Sequence, residues 1–413
     1  MSIATRDELT ARDNADPLAR CRDLFDLPTG VIYLDGNSLG PLPKAVKSRL
    51  AEVIENQWGR DLITSWNVHD WVNLPQKVGD KIARLVGAEA GEVVAADSTS
   101  VNLFKLLSGA LLMRPDRTVI VSDIGNFPTD VYVAQGINEF LGGRYELRVV
   151  KADELPGAVD EDTAIVMLTQ VNYRTGARYN MDAITKLAHG RGALMLWDLA
   201  HSAGAFPVEL NACNVDLAVG CGYKYLNGGP GAPAFLFVAR RHQQSIRPLL
   251  SGWFGHLSPF EFSTKYTPAN DLRRMLCGTP GILGLAALDA ALDVFGDVAL
   301  GDVAKKSAAL TSAFIESIDR ECADSDLTLV TPREPTARGS QVCFSHPHAY
   351  TVMQALIERG VIGDFRAPDI LRFGFAPLYL RHADVWDAVT AIAGVLRGET
   401  WRDPRFSQRN PVT

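Results

Sequence analysis

The sequence has 413 residues, 47% of them apolar and 22% charged, with a net charge of −7. That length exceeds one ordinary core, so a large domain with a smaller companion is expected. The acidic balance and the lack of a Lys/Arg block argue against a nucleic-acid partner, and no apolar run approaches the roughly 18 residues that a membrane span requires. The six cysteines (Cys21, Cys213, Cys221, Cys277, Cys322 and Cys343) form no CxxC pair. They argue against a disulfide framework and a zinc site, and they suit reduced thiols in the cytoplasm. The polar, acidic start Met-Ser-Ile-Ala-Thr-Arg-Asp-Glu is unlike a secretory leader.

Residues 1–50 contain Pro- and Gly-rich loops and are expected to wrap onto other parts of the molecule. From 51 to 295 apolar runs alternate with helical patterns. Strands are expected at 118–122, 145–150, 164–168, 193–197, 216–219 and 235–238, with helices after Pro128 and over 182–189. Near-continuous apolar strands separated by helices predict an α/β domain with a mostly parallel sheet covered on both faces. After Pro280 the pattern changes. An Ala/Leu-rich helix over 281–295 leads into a helix at 305–318, strands at 327–330, 341–344 and 371–375, and helices at 350–359 and 383–396. Residues 296–413 are therefore expected to form a smaller α+β domain.

The most informative stretch is Gly220-Cys-Gly-Tyr223-Lys224-Tyr-Leu-Asn-Gly-Gly-Pro-Gly231. A lysine between two tyrosines and bracketed by glycines is poorly suited to be a solvated surface charge. It suits an amine held in a tight turn, free to form a Schiff base. Asp198 lies 26 residues earlier, at the end of an apolar run. These are two of the parts that pyridoxal 5′-phosphate (PLP) requires. The cofactor needs a lysine, an acid that keeps its pyridine nitrogen protonated, donors for its phosphate and a flat apolar surface on its ring.

Each part has a candidate and an ordinary structural alternative. Asp198 follows a buried strand, where open α/β sheets place ligands; a helix-capping aspartate is equally common there, and Lys224 downstream tips the balance. His201, three residues on, is within reach of the ring's phenolic oxygen. Thr99 and Ser100, in Asp97-Ser-Thr-Ser-Val-Asn102, precede an amphipathic helix and suit a phosphate, although a plain N-cap has the same composition. Tyr223 offers the phosphate a hydroxyl. Phe127, Thr129 and Asp130, in Phe127-Pro-Thr-Asp130, follow a strand and offer a stacking ring and a second acid.

Together these motifs resemble kynureninase, a fold-type-I PLP hydrolase of the aminotransferase superfamily. Further matches are Leu34-Asp-Gly-Asn-Ser-Leu-Gly40, Ser251-Gly-Trp-Phe-Gly-His256, Arg338-Gly-Ser-Gln341 and Ile370-Leu-Arg-Phe-Gly-Phe-Ala-Pro-Leu-Tyr379. The resemblance spans nearly the whole chain. It implies hydrolysis of L-kynurenine to anthranilate and L-alanine. It makes Lys224 the cofactor-bound lysine and base, Asp198 the pyridinium partner, and Tyr223 a phosphate ligand that assists proton transfer. Thr99 and Ser100 match phosphate-binding positions, Phe127 the ring-stacking position and Asp130 the second acid. Arg372 matches the arginine that clamps the substrate carboxylate, with Asn37 and Ser38 lining the substrate pocket. The resemblance also implies a homodimer in which Trp253 and Thr279 complete the partner's phosphate site. The animal enzymes have asparagine at the position of Thr279. Trp66 falls near a histidine of the animal enzymes, which favour 3-hydroxykynurenine; an indole there predicts unsubstituted kynurenine as the better substrate. The nearest alternative is a cysteine desulfurase or selenocysteine lyase of the same fold. Such an enzyme needs a cysteine nucleophile on a mobile loop, and neither Cys322 nor Cys343 has that setting.

Overall fold

Runs of β-branched and aromatic residues form the central sheet because they pack on a pleated surface from both sides. In the computed structural model, which describes residues 5–409, thirteen strands occur in chain order. They are β1 (Ile32–Tyr33), β2 (Val93–Ala95), β3 (Val119–Asp123), β4 (Glu146–Val150), β5 (Thr163–Thr169), β6 (Leu194–Asp198), β7 (Leu217–Gly220), β8 (Phe235–Val238), β9 (Thr328–Leu329), β10 (Gln341–Ser345), β11 (Val361–Ile362), β12 (Asp364–Arg366) and β13 (Ile370–Gly374).

Seven strands form the large sheet in the order β2-β8-β7-β6-β5-β3-β4. β4, β3, β5, β6 and β7 run parallel. β8 turns back antiparallel to β7, and β2 pairs antiparallel with β8. Every residue of β3, β5, β6, β7 and β8 is buried. The edge strand β4 instead carries Glu146 and Arg148, charges that discourage pairing with another sheet. The chain goes from β3 outward to β4 and returns to the other side of β3 as β5. The loops leaving β3 and β5 therefore diverge, opening a crevice at their carboxyl ends.

The second sheet is antiparallel, in the order β12-β13-β10-β9. Helices Leu300–Glu321 and His382–Arg397 pack together, and helix Arg6–Asn14 packs on the latter. β1 pairs in parallel with β11. Among the described residues no helix is long and apolar enough to cross a membrane.

One buried carboxylate braces the end of the large sheet opposite the crevice. Asp216 accepts from Met195 N at 2.8 Å and pairs with His189, Arg241 and His242, each at 2.7 Å. Burial alone raises its pKa, but the two histidine bonds and the Met195 amide outweigh burial and hold it well below the usual carboxylate range. A carboxylate depressed in the folded state stabilises the fold above its unfolded pKa of about 3.9, and that contribution is lost as pH falls further. Asp216→Asn is expected to destabilise the protein by about 3 kcal/mol at pH 7. In urea titrations the gap to the parent should shrink as pH drops below about 4. A constant gap would mean that the charge is not what matters.

Candidate active site

The crevice holds a cavity of about 590 Å³. Three strand ends converge on it. β3 leads to Phe127, β5 ends in Thr169 and β6 ends in Asp198, and all three residues line the cavity. Asp198 is 3% exposed and accepts from Ala200 N at 2.8 Å. Asp130 is 1% exposed, on the first turn of helix Pro128–Phe140, with Thr169 Oγ1 donating to it at 3.4 Å. Burial raises both carboxyls, and the charge of Asp198 raises Asp130 further, well above its ordinary value. Two buried acids side by side favour a cation between them.

Lys224 stands in the cavity wall on the loop after β7. Its backbone is shaped by glycine: a Cβ at Gly222 would lie 2.3 Å from Pro233 O, a distance no side chain tolerates. Gly228 N donates to Gly222 O at 2.8 Å, Gly40 N to Tyr223 O at 2.8 Å, and the Tyr225 hydroxyl to Ser340 O at 2.9 Å. The loop is thus pinned to both the N-terminal segment and the second sheet. Lys224 Nζ lies 3.2 Å from His201 Nε2, which is also 3.1 Å from Asn37 O. Burial lowers the lysine's pKa, and the charge of Arg372 lowers it further. Both shifts favour the neutral, nucleophilic amine. Burial also holds His201 well below its ordinary value, followed by the charges of Lys224 and Arg372. Its Nδ1 is buried without a partner. The Tyr223 hydroxyl, also on the cavity, is pushed up to about 12, mainly by burial. It keeps its proton at neutral pH.

The opposite end of the cavity is the N-terminus of helix Thr99–Met113. The Ser98 side chain caps it by accepting from Val101 N at 3.3 Å. The leading N–H groups of a helix have no carbonyl ahead of them and carry its positive pole. Thr99 and Ser100 add hydroxyls at the same place. Thr129 and Phe127 form the wall between the two ends, with the Phe127 ring edge-on to Tyr173 at 5.3 Å. An anion site at one end, an acidic floor for a cation, an amine beside it and a histidine with an unused nitrogen fit PLP group by group.

Arg372 does not line this cavity. It is 1% exposed on β13, with Nη1 donating to Tyr173 O at 3.0 Å and Nη2 to Ser38 Oγ at 2.7 Å. Nη2 also pairs with Asp364, and Nε donates to the Asn37 amide oxygen at 3.0 Å. Gly374 must be glycine for this network, because a Cβ there would lie 2.0 Å from the Asn37 side-chain amide. Tyr173 separates the guanidinium from the cavity, so Asn37, Ser38 and Arg372 form one group just behind its wall.

Three expected site residues lie elsewhere in their own chain. Trp253 is 38% exposed, stacked on Phe262 with centroids 6.2 Å apart. Thr279 lines an adjoining cavity of about 270 Å³ that also meets Asp97. Trp66 packs edge-on to Trp71 at 5.7 Å and against Phe254 at 6.1 Å.

Comparison with known proteins decides the family. The family model of the kynureninase C-terminal domain matches residues 303–392. A kynureninase of Burkholderia pseudomallei strain 1106a is 52% identical over 416 aligned residues, covering the whole of both chains. One from Pseudomonas fluorescens is 50% identical over the same span. The chain belongs to the kynureninase family. Its fold is shared more widely. An apo cysteine desulfurase from Thermococcus onnurineus NA1 superposes with a TM-score of 0.76 at 18% identity, over 92% of this chain and 98% of the other. A C-DES mutant with glycine covalently linked to the PLP cofactor gives 0.77 at 16%, over 90% and 98%. This is the fold type I expected from the motifs.

Several kynureninase-site contacts escaped the reading of single motifs. Thr169 ends a run of seven buried residues, and its position directly after that run was the one available signal. Asn126 is held by Ser122, and it binds both Thr169 N at 3.0 Å and the Thr169 hydroxyl. It thereby locks the ends of β3 and β5 together. Tyr173 has no local signal, since its importance lies in touching Phe127 and Arg372 at once.

Proposed function

We propose that this chain is a PLP-dependent hydrolase that cleaves the Cβ–Cγ bond of L-kynurenine to give anthranilate and L-alanine. The observation that carries the reading is the convergence of Lys224, Asp198, Asp130 and His201 on one cavity that ends in a helix N-terminus, with Arg372 just behind its wall.

Asp198 and Asp130 would hold the protonated pyridine nitrogen. Thr99, Ser100 and Tyr223 would hold the phosphate, Phe127 and Thr129 the ring face, and His201 Nδ1 the phenolic oxygen. When bound, PLP supplies an electron sink conjugated to the substrate's Cα. Lys224 would anchor the cofactor and, as a neutral amine, would take the Cα proton and later return it. Its lowered pKa suits a base near neutrality. A water molecule adds to the side-chain ketone, and the Cβ–Cγ bond breaks to release anthranilate. Tyr223, protonated at this pH, supplies the proton that Cβ then needs, either directly or through Lys224. Arg372 holds the α-carboxylate with its planar fork, and Asn37 and Ser38 aim that fork.

The active unit is a homodimer. Trp253, Phe260 and Phe262 form an exposed aromatic cluster, 38%, 58% and 75% accessible, of the kind that marks an interface. Trp253 and Thr279 lie outside their own cavity, which suits a role in the partner's. Trp66 contacts Phe254, beside Trp253, so it belongs to the same segment and faces the aryl end of the substrate from there. Residues 1–50, 51–295 and 296–413 serve as wrapping segment, cofactor domain and smaller domain, and the protein works in the cytoplasm. Against the desulfurase alternative, Cys343 is fully buried in β10 and Cys322 is buried at a helix end; burial pushes both thiols up to about 11. Neither is a mobile thiolate.

The test is anthranilate fluorescence on adding L-kynurenine to the PLP-loaded protein, with kcat/KM compared for 3-hydroxykynurenine. The unsubstituted substrate is expected to be preferred by at least about tenfold, the scale of a polar group left without a partner. No anthranilate, or sulfide from L-cysteine instead, would overturn the activity. Equal kcat/KM values would overturn only the role of Trp66.

A further inference from the structure

Lys105 is a lysine with no exposed surface, in the second turn of helix Thr99–Met113. A buried ammonium persists only where every proton is well placed. Its Nζ forms an ion pair with the Asp97 carboxylate and donates to Met275 O at 2.6 Å. Asp97 immediately precedes the Ser98 N-cap, in left-handed backbone with φ 48°. It lines both the main cavity and the adjoining one that holds Thr279. Met275 ends the short helix Leu272–Met275, just ahead of Cys277 and Thr279. Asn102, one turn before Lys105, fixes the same corner by donating to Ala96 O at 2.8 Å.

A carboxylate beside a phosphate site works against it. Without compensation the charge of Asp97 opposes a dianion arriving at the helix N-terminus, and low local polarity enlarges the repulsion. The Lys105 ammonium reaches Asp97 from within the fold and cancels that charge. Through Met275 it also holds the segment leading to Thr279 against the same corner. We propose that Lys105 is a positioning residue for the cofactor phosphate, neutralising Asp97 and fixing the Met275–Thr279 segment at the phosphate end of the site. The proposal rests on the PLP reading above.

The test is equilibrium titration of the full-length apoprotein with PLP and, separately, with pyridoxal, which lacks the phosphate. Binding of PLP by the parent protein tests the cofactor reading itself, independently of the variants. Lys105→Met is expected to weaken PLP binding about 10- to 100-fold, the scale of breaking a buried charge pair. Pyridoxal binding should stay within about twofold, because the repulsion acts only on the phosphate. The double variant Asp97→Asn/Lys105→Met should recover most of the loss. Asp97→Asn alone, which leaves the cation unopposed, should bind PLP at least as tightly as the parent. Equal weakening for PLP and pyridoxal, no recovery in the double variant, or no weakening at all would each overturn the proposal. If Lys105→Met does not fold, Asp97→Asn decides: weaker PLP binding than the parent refutes it, and equal or tighter binding supports it.

Discussion

Lys224→Ala is expected to retain the fold, bind PLP without a covalent bond and lose at least about 10,000-fold in kcat. The size follows from two functions in one amine. In the proposed mechanism it would join the cofactor covalently and move the proton at Cα. Its surroundings serve both. Burial lowers its pKa, the charge of Arg372 adds to that, and His201 receives it at 3.2 Å. The fold should survive, because the loop is held by backbone contacts from Gly40, Gly228 and Asn227 and by the Tyr225 hydroxyl, none of which uses the lysine side chain. The protein's visible absorbance band should shift on substitution, and PLP should leave on dialysis. An added small primary amine is expected to restore part of the activity, since it replaces the base without the tether. Activity within about tenfold of the parent would remove Lys224 from the mechanism.

Arg372→Lys is expected to lower kcat/KM for L-kynurenine by about 100-fold, mostly through KM. Charge is kept, so the loss measures geometry. The guanidinium is oriented by four partners (Tyr173 O, Ser38, Asp364 and the Asn37 amide). In the proposed role a substrate carboxylate would take the place of one of these partners, and a lysine cannot present two parallel N–H bonds while keeping the rest. A second effect follows from Asp35, whose carboxyl is pushed up to about 7 by burial and then by the charge of Asp364. Below that pH it is neutral. Above it, a further negative charge appears near Arg372 and would compete with a carboxylate bound there. KM is therefore expected to rise as pH passes about 7, and Asp35→Asn should flatten that rise. Steady-state kinetics of both variants across pH 6–9 checks the pair, with about 7 as the turning point. A KM that falls with rising pH would refute the role of Asp35.

The legible parts of the fold were the long, repetitive ones. β3, β5 and β6 are runs of five, seven and five buried residues, and alternation with helices leaves little choice but a parallel sheet. β2 and β12, three residues each, carry too little pattern to stand out. Their pairing with β8 and β13 supplies the stability that local propensity lacks. The antiparallel direction of β8 was equally silent, because a strand buried on both faces has the same composition whichever way it runs.

Among the site residues, Lys224 and Asp198 were visible because each breaks its local context: a cation among tyrosines and glycines, an acid closing an apolar run. Arg372 and Asn37 came from resemblance, and only the folded chain shows that they touch. Trp66 also came from resemblance. In its own chain it packs on Trp71 and Phe254. The Asp216 brace draws on Met195, His189, Arg241 and His242, and the Lys105 corner on Asp97 and Met275; neither arrangement has a local signature.

The sequence alone was enough for the sheet class and the family, and it singled out Lys224 and Asp198 as candidates. Those depend on hydrophobic period and on side chains whose chemistry is rare in their surroundings, and both are local properties. The tertiary structure was needed for the charge environment. Burial and the approach of distant groups lower Lys224, raise Asp130 and Asp35, and oppose Lys105 to Asp97. Desolvation and Coulomb interaction depend on distance through space, and separation along the chain does not encode it.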